Sequence, residues 1–221
     1  MFSIIWGLLL LLAAYLLGSI PTGYLAGRLL KGIDIREHGS KSIGATNVLR
    51  TLGKGPALTV LLIDVLKGVA AIALARWLYS LSAVVATIPA NADLQAWVPW
   101  AVIMAGLTAI VGHSRSVWIG FKGGKSVATG LGVLLAMSWQ VGLSTLGVFG
   151  IVLALSRIVS LGSILAAIAS PLLMLLFQQP LPYVLLATAA AIYISITHRA
   201  NIQRLLAGTE PQVGQKHQSS N

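Results

Sequence analysis

The chain contains no cysteine, and its only acids are Asp34, Glu37, Asp64, Asp93 and Glu210. The first absence excludes disulfides, thiolate metal sites and cysteine nucleophiles, and leaves the compartment open. The second leaves fifteen Lys and Arg facing five acids, a net charge of +10. Charged residues are only 9% of the chain against 57% hydrophobic, and the mean hydropathy is +0.87. That composition belongs to polytopic membrane proteins, where a basic excess marks cytoplasmic loops facing anionic lipid. The expected surroundings are therefore a lipid bilayer and an anionic substrate, with no nucleic acid. A basic leader is missing as well. MFSIIWGLLLLLAAYLLGS opens without cations, and Arg28 and Lys31 follow it, which fits a retained first span with its N-terminus outside.

A span needs about 20 apolar residues to cross about 30 Å of hydrocarbon. Residues 3–30, 56–79 and 97–112 supply three, the first with Gly18, Pro21 and Gly23 in its inner half. Residues 126–156 form either one long helix or two spans divided around Ser138–Gly142. Division keeps Arg157 and the basic segment after Thr197 on the inner side, as the positive-inside rule requires. Residues 159–177 and 182–197 complete the set. The expectation is an all-α, polytopic membrane helix bundle of seven transmembrane helices, N-terminus outside and C-terminus cytoplasmic. One helix is short: 126–137 would be about 18 Å long and would start from a recessed N-terminus after Gly123 and Gly124. Residues 1–208 are read as a single domain and 209–221 as a polar, disordered tail. The polar residues expected on the outer side are few, chiefly Asn91, Asp93 and Gln95.

Further absences narrow the function. No internal repeat supports an inverted-repeat transporter. His38 and His113 stand without metal-ligand spacing, so no metal is assigned. The segment before Gly124-Lys125-Ser126 has Ile119 where a nucleotide P-loop needs glycine, and it follows a membrane helix instead of a strand.

What remains are three polar segments, all expected on the inner face. GSKSIGATNVLRTLGKG (39–55) carries Lys41, Arg50 and Lys54 among hydroxyls and amides. GHSRSVWIGFKGGKSVATG (112–130) puts Lys122 and Lys125 around two glycines where a helix begins near Ser126. Such glycines let backbone N–H groups approach an anion, although an interfacial turn with two lysines has the same composition. THRANIQRLLAGTE (197–210) sets His198 and Asn201 three apart on one helical face. His198 is open to three readings: ligand group, proton carrier or interfacial histidine. Asp64 and Lys67, three apart inside the second span, read as a self-neutralising ion pair or as one that orients a neighbouring loop.

Together, GSKSIGATNVLRTLGK with DVLKG, GH…GFKGGKSVATGLG and HRANIQRLLAGTE resemble the acyl-phosphate:glycerol-3-phosphate acyltransferase family of the PlsY type. The resemblance runs in order along almost the whole chain. It implies a seven-span enzyme of the bacterial cytoplasmic membrane with its active site facing the cytoplasm. The implied reaction moves a fatty acyl group from acyl phosphate to the 1-hydroxyl of glycerol 3-phosphate, giving lysophosphatidic acid and phosphate. It implies no cofactor, and it implies contact with the enzyme that produces acyl phosphate. Ser40, Arg50, Lys125, His198 and Asn201 fall on the family's active-site positions. Gly44, Thr46 and Asn47 fall in its GATN loop, and Lys122, Gly123 and Gly124 in its glycine-rich loop. Ser42 stands where the family usually has asparagine, and Ala200 where glutamate is common.

The residues suit that chemistry independently. Both substrates carry phosphate, and acyl phosphate is already activated, so no enzyme nucleophile is required and aimed donors suffice. The His-to-Asp pair five residues apart used with soluble donors is absent: Ile43, Trp118 and Gln203 follow His38, His113 and His198 at that spacing. The resemblance implies that a substrate phosphate oxygen accepts the hydroxyl proton. The alternative from a different class is a small anion (phosphate) transporter or channel with the same basic funnel.

Overall fold

The computed structural model describes residues 2–89 and 93–214, with the side chains of residues 2 and 3 excepted. Asn91 and the tail residues 215–221 lie outside the described residues. Every α element is helical and the connections are short. In chain order the α-helices are α1 (Phe2–Ser19), α2 (Thr22–Lys31), α3 (Ala45–Leu52), α4 (Lys54–Leu78), α5 (Ser82–Val85), α6 (Leu94–Ser114), α7 (Val127–Met137), α8 (Trp139–Ser156), α9 (Val159–Leu176), α10 (Leu181–Thr197) and α11 (Arg199–Leu206).

Five stretches are long and apolar enough to cross a membrane: Ile4–Lys31, Lys54–Leu78, Leu94–Ile119, Trp139–Ser156 and Val159–Leu176. Leu181–Thr197 joins Arg199–Leu206 across a 64° bend and adds a sixth when the pair is taken as one span. Val127–Met137 is apolar but shorter. Length and apolarity thus give five or six spans, and the seven expected from sequence include the short helix.

Local chemistry explains the breaks. Pro21 has no N–H, so the first span is interrupted after Ser19 and restarts at Thr22, with Leu25 donating back to the Pro21 carbonyl at 2.9 Å. The α2 C-terminus ends on Gly32 at φ 68°, whose amide reaches the Arg28 carbonyl at 3.1 Å. Between α7 and α8 the division expected around Ser138–Gly142 is a single extended residue, Ser138 (φ −152°, ψ 109°), and Trp139 already begins α8. The carbonyls left at the end of α7 are capped from α4: Arg76 donates to Ala136 O at 2.7 Å and Met137 O at 3.2 Å.

Helix pairs approach closely through glycine, as membrane bundles favour where hydrophobic burial does not drive association. A Cβ on Gly18 would lie 2.2 Å from the Ala109 carbonyl oxygen, locking α1 against α6. On Gly132 it would lie 2.0 Å from the Val65 carbonyl oxygen, locking α7 against α4. The main core gathers Ala14, Ile72, Ala105, Val133, Leu186 and their neighbours from α1, α4, α6, α7 and α10. Leu62, Leu155 and Leu172 face outward, as a lipid-facing surface requires. A second, smaller core of Ile35, Ile43, Val48, Val60 and Ile119 lies under the polar loops. Burying each such large side chain stabilises by roughly 1.5–3 kcal/mol, which makes this patch the floor on which the loops are set.

Candidate active site

The loop before α3 is shaped by one side chain. Asn47 is 1% exposed. Its Nδ2 donates to the carbonyls of Ser42 (2.7 Å), Ile35 (2.9 Å) and His38 (3.1 Å), and its Oδ1 accepts the Ser40 amide at 2.8 Å. Both polar atoms of Asn47 are therefore engaged within the loop. Asn47 thereby builds the loop that carries Ser40. Ser42 Oγ accepts the Gly44 amide at 3.3 Å, a local turn that asparagine also makes, so this departure from the family pattern preserves the turn. Gly44 caps α3, Thr46 is half-buried in its first turn, and Arg50 stands exposed in its last turn. Asp34 braces the same region, its carboxyl held down at about 2 by hydrogen bonding to Arg36. Arg36 in turn donates to Ile119 O at 3.0 Å, tying this loop to the glycine-rich one.

The amides of the glycines after α6 are hydrogen-bonded within the protein. The Gly123 amide donates to Ser114 O at 3.0 Å and the Gly124 amide to His113 O at 3.1 Å. A Cβ on Gly123 would lie 2.0 Å from His113 O, and one on Gly124 would lie 2.3 Å from His113 Nε2. Both amides are occupied and both glycines are needed for close packing on the end of α6. The loop then turns through Ser126 (φ 62°), whose Oγ donates to Ile110 O at 2.7 Å, and α7 begins at Val127. Lys125 and the first amides of α7 are left at the mouth of this turn, an arrangement suited to negative charge. Lys122 is exposed at its rim.

Lys125 Nζ donates to Asn201 Oδ1 from α11, which brings the second and third polar segments together. Asn201 Nδ2 donates to Glu210 Oε1 at 2.6 Å. Ser160 Oγ reaches the same oxygen at 2.7 Å, and Arg204 Nε donates to Glu210 Oε2 at 2.7 Å. Burial acts to raise the Glu210 carboxyl, but these three hydrogen bonds and the Arg204 charge outweigh it and hold the group below its ordinary value. Burial lowers the Lys125 ammonium; Glu210 opposes that, while Arg204 and Arg50 add to it. Arg50 is thus near enough for its charge to bear on Lys125. His198 is buried at the corner between α10 and α11, with Nδ1 2.8 Å from Ile194 O. Burial first, with the nearby Lys125 charge, brings its imidazole down to about 4. The ring is then neutral near pH 7, Nδ1–H donates to the carbonyl, and Nε2 is an acceptor.

Sequence reasoning missed Glu210, which it placed with the polar tail. The available signal was that it is the only acid after Asp93 and sits six residues from Arg204. Ala200 is exposed beside Asn201, and the carboxylate at this site comes from Glu210. Three residues beyond Glu210, the Val213 amide donates to Arg157 O at 2.8 Å.

Residues 8–208 match the model of the family described as glycerol-3-phosphate acyltransferase. The chain belongs to the glycerol-3-phosphate acyltransferase family. A protein of that name from Acaryochloris marina is 62% identical over 94% of this chain and 92% of its own length. Another from Trichormus variabilis is 61% identical, with 92% and 90% covered. Glycerol-3-phosphate acyltransferase 2 from Rhizobium johnstonii is 62% identical, with 91% and 93% covered. The fold is similar to crystal structures of PlsY, an integral membrane glycerol 3-phosphate acyltransferase. Its glycerol 3-phosphate form is 37% identical at a TM-score of 0.82, covering 94% of this chain and 96% of that one. Its lysophosphatidic acid form is 36% identical at a TM-score of 0.80, covering 94% and 95%. The chain is accordingly a multi-pass membrane protein.

Proposed function

We propose that this acyltransferase uses acyl phosphate as donor and releases lysophosphatidic acid and inorganic phosphate. The observation that carries the reading is the hydrogen bond between Lys125 and Asn201, from two separate segments, with His198 and Arg50 close enough for charge to be felt between them and Lys125. The glycerol 3-phosphate and lysophosphatidic acid forms of PlsY support it.

In this reading Arg50 clamps a substrate phosphate, with Ser40 and Thr46 hydrogen-bonding beside it and Lys122 at the rim. Lys125 and the α7 N-terminus face the charge that develops when the 1-hydroxyl oxygen attacks the acyl carbon. The carbon–oxygen bond to phosphate then breaks, and the hydroxyl proton passes to a substrate phosphate oxygen. No acyl-enzyme forms. Asn201 fixes the Lys125 ammonium, and Glu210 fixes Asn201. His198 Nε2 is placed to accept a hydrogen bond from the glycerol moiety. Seven spans with the N-terminus outside set this site at the cytoplasmic face of a bacterial inner membrane. Soluble acyl-phosphate-producing enzyme reaches it there.

The test is purified chain in detergent with synthetic acyl phosphate and glycerol 3-phosphate. Lysophosphatidate and phosphate should appear in equal amounts. Phosphate movement across liposomes without acyl transfer would instead favour the transporter reading.

A further inference from the structure

Below the site lies a buried polar cluster that the reaction does not use. Asp64 and Lys67 on α4 are 1% and 4% exposed, and His113 near the end of α6 is 4% exposed. Asp64 Oδ1 accepts Thr22 Oγ1 at 2.6 Å and Lys67 Nζ at 2.8 Å, and Lys67 also donates to Ile20 O at 3.0 Å. The pair therefore grips both sides of the Pro21 break.

From there two lines of contact lead to the two basic loops. The residue after Thr22 is Gly23, packed so closely on the first loop that a Cβ would lie 1.8 Å from Ile43 O. On the other side Asp64 Oδ1 faces His113 Nδ1 at 3.6 Å, beyond a hydrogen bond but in direct apposition. The far edge of that ring meets Gly124, next to Lys125. One turn along α4, a Cβ on Gly68 would lie 2.2 Å from Thr129 O in the first turn of α7. Residues 64–68 thus touch the α1–α2 break, the end of α6 and the start of α7 within two turns of one helix.

We infer that Asp64, Lys67 and His113 are positioning residues that fix the Lys125 loop relative to the Arg50 loop. An ion pair that merely neutralised itself would require only each other's charge. This one is bonded to the elements that carry the two halves of the site. The inference rests on the reading of Lys125 as the group that meets developing charge.

The test uses the full chain with spin labels on cysteines introduced at Lys54 and Lys122, which the cysteine-free sequence permits. Asp64→Asn/Lys67→Met removes both charges together and so leaves no unpaired buried ion. The distance distribution between labels, narrow in the parent, should broaden or shift. In unlabelled chain the double variant should lower kcat about tenfold or more, yet lower it less than about threefold when Lys125 is already alanine. An unchanged distribution, or a loss that multiplies undiminished in the Lys125→Ala background, overturns the inference. Should the double variant fail to fold, Gly124→Ala presses on the His113 ring from the loop side and is read by the same two criteria. Should the parent chain transfer no acyl group, the functional reading fails, and the label distances alone decide the positioning claim.

Discussion

Lys125 is partly desolvated, paired with Asn201 and set beside the first turn of a helix. Removing one donor of this kind costs about 2.7–4 kcal/mol in comparable sites, or two to three orders of magnitude in rate. Lys125→Ala should therefore lose at least about a hundredfold in kcat while remaining folded in a detergent melt. Lys125→Arg should recover part, because a planar fork cannot occupy the same point. Activity of Lys125→Ala within about threefold of the parent would reduce this loop to a membrane-edge turn. The lowered ammonium sets the sign of the pH response. As pH rises, the charge is lost below the ordinary lysine value, so the alkaline fall of kcat should come early. In Lys125→Arg the fall should move to higher pH, and a profile identical in the two proteins would contradict the assignment. The place of Lys125 beside a helix start was legible in the sequence, because charge and glycines lie just before Ser126 there. Glu210 was not, because the atoms that hold it come from Ser160, Asn201 and Arg204, whose convergence no local spacing reveals.

At the scale of elements, α3 and its preceding loop depend on Asn47. Asn47→Ala would leave the Ser40 amide and the carbonyls of Ile35, His38 and Ser42 without that partner. The bond to Ile35 O is fully buried, and a buried polar group left unsatisfied costs about 1–3 kcal/mol, so a fall in melting temperature should accompany the loss of activity. Full stability with normal turnover would contradict the loop-building role. The elements themselves were largely readable. Pro21 with its flanking glycines marked the α1–α2 break, and the positions of Arg157 and the basic C-terminal segment required a division between α7 and α8. The corner at Ser138 lies at the start of the Ser138–Gly142 stretch where the division was expected, but its reduction to a single extended residue was not readable. It is stabilised from a distance by Arg76 on α4. For the same reason the hydrogen bonds made by Gly123, Gly124 and Asn47 were not readable, because which carbonyls they meet is a matter of tertiary packing.

For the molecule as a whole, the account requires that all three polar segments lie on one side of the membrane. Single cysteines at Lys41, Lys122 and Gln203 should react in intact cells only with membrane-permeant reagents, and one at Gln179 should react with an impermeant one. Labelling of Lys122 and Gln203 from opposite sides would break the composite site. Given that arrangement, the central claim is the choice of donor. An already activated acyl group suits a site of aimed cations without a His-to-Asp pair. The most direct measurement is turnover of purified chain on glycerol 3-phosphate with acyl phosphate, acyl-CoA or acyl carrier protein as donor, each in the presence of a chelator. Acyl phosphate alone should support lysophosphatidate formation, undiminished by the chelator; equal turnover with acyl-CoA would contradict the account.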